Sequence, residues 1–152
     1  LKDVGYKGQI YQTAGAALDG FLKLGGKKVE DAIIGASLML VLDEASDKNP
    51  SKKVATKYVS DYKAKYGETP ATFGANVYDG GLLLQAAIPT ALKGGKPGTP
   101  EFRKALRDAL EKTKNVVGVQ GIYNITPEDH SGFNEDSIEM ITVKGGQWTL
   151  LK

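Results

Sequence analysis

Between Val54 and Tyr66 an apolar residue returns every fourth position, at Val54, Tyr58, Tyr62 and Tyr66, joined by Ala55 and Val59, with lysines on the remaining face. That spacing predicts an amphipathic helix over NPSKKVATKYVSDYKAKYG, with Asn49 as N-cap and Pro50 at the first helical position. From Val77 to Leu92 apolar residues run almost all the way round. This predicts a helix buried on most sides, kinked or ended by Pro89. A third helix, TPEFRKALRDALEK, repeats the opening device with Thr99 and Pro100 and sets Phe102, Ala105, Leu106, Ala109 and Leu110 on one face.

The rest of the pattern is a mixture of short strands and turns. GQIYQT (Gly8 to Thr13) has the β-branched and aromatic content of a short strand, with Gly15 in the turn that follows. Leu18, Phe21, Leu22 and Leu24 then recur at helical spacing until Gly25 and Gly26. The continuous apolar run AIIGASLMLVL (Ala32 to Leu42) reads as a strand buried on both faces and an exit segment. DEASDKNP (Asp43 to Pro50) is a polar linker, the best candidate for a crossing between structural units. At the far end Ile138, Met140 and Thr142 alternate with Glu139, Ile141 and Val143, and Gly145-Gly146 supplies a tight hairpin turn before Trp148 and Leu150. Alternation of strands and helices predicts an α/β fold.

Composition narrows the function classes. With 152 residues, 41% hydrophobic and 25% charged, the chain is long enough for one ordinary domain. A net charge of +2 with both signs interspersed provides no basic face, so no nucleic-acid partner is expected. No apolar run is long enough to span a bilayer. The absence of cysteine excludes disulfides, iron–sulfur clusters and thiol nucleophiles, and leaves the redox compartment open.

Candidate chemistry is sparse. The single histidine, His130, lies in ITPEDHSGFNED among four acidic residues. A calcium loop fails, because counting back from Gly132 puts Pro127 at the first ligand position. Zinc would need further histidines or cysteines, and no nucleophile-elbow pattern accompanies His130. The stretch reads as a solvated strand-to-strand loop turned by Pro127, Asp129 and Gly132. GGKPG (Gly94 to Gly98) follows a helix instead of a strand and is too short for a phosphate loop. The adjacent acids Asp43/Glu44 and Glu135/Asp136 read as wet linker residues. No enzyme, metal or cofactor is expected.

The chain opens on LKDVGYKG, which reads as the closing turn of a helix, with Lys2 near its end and Gly5 at a left-handed cap. The order LKDVGYKGQIYQTAG, FLKLGGKKVEDAII, NPSKKVATKYVSDYKAKYGETPATFGANVYDGGLLLQAA, PGTPEFRKALRDALE and VVGVQGIYNITPEDHSGF resembles the C-terminal portion of periplasmic substrate-binding proteins of branched-chain amino acid ABC transporters. Telling pieces are Tyr66-Gly67, the YDG at Tyr78 to Gly80, and the glycine-bounded strand leading into DHSG.

The resemblance implies a fragment of a type I periplasmic binding protein fold, two Rossmann-like lobes with a ligand cleft between them, whose N-terminal part lies outside this chain. It implies that residues 1–43 belong to the second lobe, 44–117 are the helical part of the first, and 118–152 are return strands of the second. It implies a periplasmic, extracytoplasmic solute-binding component of an ABC importer. Such a protein closes its lobes on a small molecule and delivers it to a membrane permease. A ligand sensor of the same fold in a regulator or receptor is the alternative, and a hydrolase using His130 is a third class.

In amino-acid-binding members the turn after the strand corresponding to QIYQTAG carries an acidic residue that pairs with the ligand ammonium. Here Ala14 stands there, so the resemblance implies an aromatic acid, another carboxylate or an amide as readily as an α-amino acid. Thr13 and Gly15 are expected to offer a hydroxyl and a backbone N–H to the cleft. Phe73 corresponds to the aromatic that borders it, or else packs on the core at a helix start. Tyr78 reads as core. The apolar helices, short of a sheet to cover them, predict a homodimer or larger assembly for the chain by itself.

Overall fold

Ile34 and Ile141 have no exposed surface and face each other across neighbouring antiparallel strands. Truncating either to alanine would cost about 2–5 kcal/mol. The computed structural model, which describes residues 1–151, builds its sheet around this pair. Numbered in chain order, the strands are β1 (Tyr11–Gln12), β2 (Ile33–Ala36), β3 (Val116–Val117), β4 (Ile122–Tyr123), β5 (Glu139–Lys144) and β6 (Gln147–Leu150). The sheet has the order β1-β2-β5-β6; β1 and β2 are parallel, the other pairs antiparallel. Strands β3 and β4 form a separate antiparallel hairpin.

The parallel pair needs a crossover, and α1 (Asp19–Gly25) supplies it. Gly26, at φ 50°, ends this helix and a short 3-10 turn follows. Phe21 of α1 stacks on Trp148 of β6 with ring centroids 6.0 Å apart, closing one face of the sheet. Beneath it Ala17, Ile34, Ala36, Val41 and Ile141 pack as one cluster. Strand β1 is shorter than Gly8 to Thr13, because at the sheet edge it has only β2 to pair with.

The apolar run from Ala32 to Leu42 is not one strand. It stops at Ala36, where Ser37 caps a 3-10 turn, Leu38–Val41, by accepting the Met39 N–H. A continuous apolar run lacks the alternation that would separate strand from buried turn. Leu38 and Met39 instead wedge against Ala55, Tyr58, Val59 and Ala75, joining the sheet to the helices.

Three helices follow: α2 (Ser51–Tyr66), α3 (Thr72–Ala91) and α4 (Pro100–Leu110). Asn49 Oδ1 accepts the Ser51 N–H at 3.0 Å, the bond expected of it, although the regular span starts after Pro50. Thr99 Oγ1 accepts the Phe102 N–H at 3.2 Å as the cap of α4. Tyr58, Tyr62 and Tyr66 form the ladder that the four-residue spacing predicts. Pro89 lies inside α3, which ends two residues later.

Helix α3 departs from expectation. Val77 is 78% exposed and Leu92 51%, so the helix is not buried on most sides within this chain. Its buried residues, Thr72, Ala75, Asp79, Ala87 and Ala91, fall on one side of the helix. The sheet packs against α2 through the Leu38–Val41 turn, and no element among the described residues covers the Val77 side. Periodicity reports which residues want cover and cannot say whether the same chain provides it.

The closing hairpin is as expected. Gly145 and Gly146 both take positive φ, 59° and 76°, in the turn between β5 and β6.

Candidate functional site

Because β1 and β2 are parallel, with Gln12 beside Ile34, their C-terminal ends share one edge of the sheet. From β2 the chain leaves that edge through Ser37 toward the helices. From β1 it enters a 3-10 turn, Ala14–Ala16. The Thr13 carbonyl accepts the Ala16 N–H at 2.9 Å and the Ala14 carbonyl accepts the Ala17 N–H at 3.0 Å. Ala17, 1% exposed, fixes the turn to the core. Thr13, Ala14 and Gly15 themselves are exposed, and the first N–H groups of such a turn have no partner within it. Ligands of open α/β sheets sit outside this edge of the strands.

Phe73 lies in the first turn of α3. Its neighbours Thr72 and Ala75 are buried, and Ala75 packs in the cluster of Leu38 and Met39. Phe73 is 54% exposed, so it is not a core residue at a helix start. Tyr78 does pack inward, 4.8 Å from Tyr58 between ring centroids. The structure thus gathers Thr13, Ala14 and Gly15 in one exposed turn. Phe73 belongs to a different element, α3.

The His130 loop is a polar turn with its own bonds. Thr126 Oγ1 accepts the Asp129 N–H, and Asp129 Oδ1 accepts the N–H groups of Ser131 and Gly132 at 3.0 and 3.1 Å. Gly132 is needed at φ 67°, where a Cβ would press on Asn124 and Ile125. His130 is exposed, with Nε2 3.2 Å from Glu111 Oε1. Together with Arg107 they rim an apolar groove of about 720 Å³ floored by Val77, Leu84 and Leu110. Among the described residues no three His, Cys, Asp or Glu side chains converge as a metal would require.

Sequence reasoning overlooked Asp79. Its carboxylate is fully buried and accepts the Val119 N–H at 2.7 Å on Oδ1, with the Gln120 N–H and Tyr123 hydroxyl both at 2.9 Å on Oδ2. Burial, and then the neighbouring carboxylate, hold the Tyr123 phenol above its ordinary pKa. The available signal was an acid in the middle of an apolar helical run, which is stable only if partnered.

The sequence model of the periplasmic binding protein family matches residues 1–147. An extracellular ligand-binding receptor from Rhodopseudomonas palustris HaA2 is 42% identical over 99% of this chain and 42% of its own, with a TM-score of 0.90. Another extracellular ligand-binding receptor from the same strain is 35% identical over all of this chain and 43% of its own, with a TM-score of 0.93. A leucine-binding protein from Thermotoga maritima is 27% identical over 99% of this chain and 38% of its own, at 0.70. The chain therefore spans about two fifths of the length of the structures it matches. Among curated proteins no match was found. No helix among the described residues is long and apolar enough to cross a membrane.

Proposed function

The chain belongs to the periplasmic binding protein family, a family of binding proteins and not of enzymes, and from that premise we propose that it is part of an extracytoplasmic solute-binding component of an ABC importer. It takes up a small organic acid between two lobes and presents it to a membrane permease. Residues 1–43 and the return strands form one lobe, and the helices from 44 onward form part of the other. The β3–β4 hairpin is bound to α3 through Asp79, so we place the return to the first of these lobes after it, within residues 124–138, later than the 117/118 division.

The single observation that carries the reading is the placement of the Thr13–Gly15 turn. It is exposed at the strand edge from which the chain crosses to the helices, and it holds a hydroxyl and free N–H groups with no charged side chain. Such a turn can donate to a carboxylate, whereas Ala14 has nothing to pair with an ammonium. Phe73, exposed on α3, supplies an apolar wall suited to an aromatic or aliphatic body. Closure then follows from ligand contacts made by both lobes at once.

A thermal-shift screen of the complete gene product tests this. A ligand at a hundredfold excess over its Kd stabilises by about 2.7 kcal/mol. Benzoate-like and aliphatic acids are expected to give larger shifts than leucine, isoleucine or valine. A larger shift with a branched-chain amino acid would overturn the assignment of the acid.

A further inference from the structure

Two segments carry the chain between sheet and helices. The outgoing one runs from Ser37 to Pro50; the returning one leaves the β3–β4 hairpin and reaches β5 through Asn134–Ser137. They are not packed tightly on each other. A cavity of about 290 Å³ lies between them, bordered by Asn49, Ser51, Gly121, Asn134 and Ser137. Beside the Asn49 Nδ2 to Glu139 Oε1 bond of 3.4 Å, the relation between the two segments depends on what holds the hairpin turn.

That turn is held on both sides, by hydrogen bonds to the helices and by close packing on the returning segment. On the helix side the three bonds to Asp79 fix Val119, Gln120 and Tyr123. Gly118 leaves the space for them, since a Cβ there would lie 2.5 Å from Asp79 Oδ2. Gln120 adds a side-chain bond to Asn76, one turn before Asp79 on α3. On the crossing side a Cβ at Gly121 would overlap Ser137, 2.7 Å from its Cβ, and Tyr123 packs on Phe133 with centroids 4.5 Å apart. One rigid turn thus touches α3 with one glycine and the returning segment with the other. The Gly118 N–H to Gly121 carbonyl bond, 2.8 Å, locks the two together.

We infer that Asp79 is a positioning residue of the hinge: by clamping the Gly118–Gly121 turn to α3, it fixes the angle at which the returning segment leaves the helices. The inference rests on the two-lobe reading for its consequence, because that angle sets how far the lobes stand apart before ligand arrives. Three donors need a carboxylate. An amide at this position would turn one of its own donors toward the Val119, Gln120 or Tyr123 donors, and asparagine cannot replace it.

The cysteine-free sequence allows a direct test by pairwise spin labelling. One pair, Glu101→Cys on α4 with Gln147→Cys on β6, spans helices and sheet. A control pair, Glu101→Cys with Lys53→Cys on α2, lies within the helices. The pairs are made in the complete gene product, with any cysteine outside residues 1–152 replaced, and the labelled protein is diluted with an excess of unlabelled protein, so that only distances within one molecule are read. Asp79→Asn, and Tyr123→Phe as a milder variant that keeps the carboxylate and the backbone bonds, are compared with the parent by double electron–electron resonance and amide exchange.

The expected result is exchange about tenfold or more faster at Val119 and Gln120 in Asp79→Asn. The distance distribution should widen for the spanning pair and stay unchanged for the control, with Tyr123→Phe intermediate. Faster exchange with an unchanged spanning distance would overturn the inference, as would equal widening of both pairs, which would make Asp79 a general prop of the fold. No ligand enters this experiment. Its failure leaves the binding reading standing, and failure of ligand binding leaves its result standing.

Discussion

Asn49 Nδ2 donates to Glu139 Oε1 at 3.4 Å, joining the outgoing segment to the first residue of β5 across 90 positions of sequence. The same side chain accepts the Ser51 N–H through Oδ1, so one amide both caps α2 and touches the returning segment.

Asn49→Ala is therefore expected to destabilise the chain by about 1 kcal/mol, the usual loss for a helix cap. Asn49→Ser keeps a cap acceptor but cannot reach Glu139, and should cost less. Urea denaturation of the two variants reads the difference. An alanine variant as stable as the parent would show that the cap carries no weight here.

The apolar face of α3 predicts self-association. Val77, Leu84, Ile88 and Leu92 are all exposed, and the groove between α3 and α4 runs beside them. Burying a patch of roughly 300–600 Å² at about 25 cal/mol per Å² is worth several kcal/mol. Light scattering after size exclusion should report a dimer or larger for residues 1–152, by helix packing or by a swap across Asp43 to Pro50. Val77→Lys with Leu84→Lys should shift it toward monomer. A monomer at micromolar concentration that binds no hydrophobic dye would contradict this.

Stability should fall in acid, over a definite window. Hydrogen bonds from Lys104 and then Arg107 hold Asp108 down to about 2, and Lys28, Lys144 and Lys52 likewise lower Asp3, Asp31 and Asp47. Groups whose folded pKa is depressed stabilise above their unfolded value, about 3.9, and lose that contribution as pH falls through the folded value. Melting temperature should be level near neutrality and decline from about pH 4 to pH 2. All four carboxylates are solvent-screened, so each contribution is small. Asp108→Asn should shallow the decline, and a melting temperature that rises on acidification would refute the assignment.

His130 lies in a self-contained polar loop, bonded to Glu111 and far in sequence from the Thr13–Gly15 turn. His130→Ala should leave ligand affinity within about twofold, as for a surface change worth under 0.5 kcal/mol. A hydrolytic turnover lost in that variant would restore the enzymatic reading.

How much of this was legible in the sequence depended on whether a residue's partner was local. The caps at Asn49 and Thr99, the glycine hairpin at Gly145-Gly146 and the tyrosine ladder of α2 follow from spacing of a few residues, and all appear. The turn after Ala36 was hidden because an apolar run has no period to read. Asp79 was hidden because its donors lie some 40 residues away, in a hairpin that no pattern links to α3. The exposed face of α3 shows the same limit in reverse, since hydrophobicity reports a need for cover without naming its source. At the candidate site, resemblance supplied the Thr13–Gly15 turn and Phe73, while their exposure came only from the fold.

Whether the Thr13–Gly15 turn receives the acid group of the ligand is read from the affinity of Ala14→Glu. Calorimetric titration of the complete gene product, using the acid that gives the largest thermal shift, would compare the variant with the parent. Like charges a few ångströms apart cost on the order of 1 kcal/mol or more in a partly buried site. Affinity should drop about tenfold or more. An unchanged affinity for the acid would mean that Ala14 is not at the site.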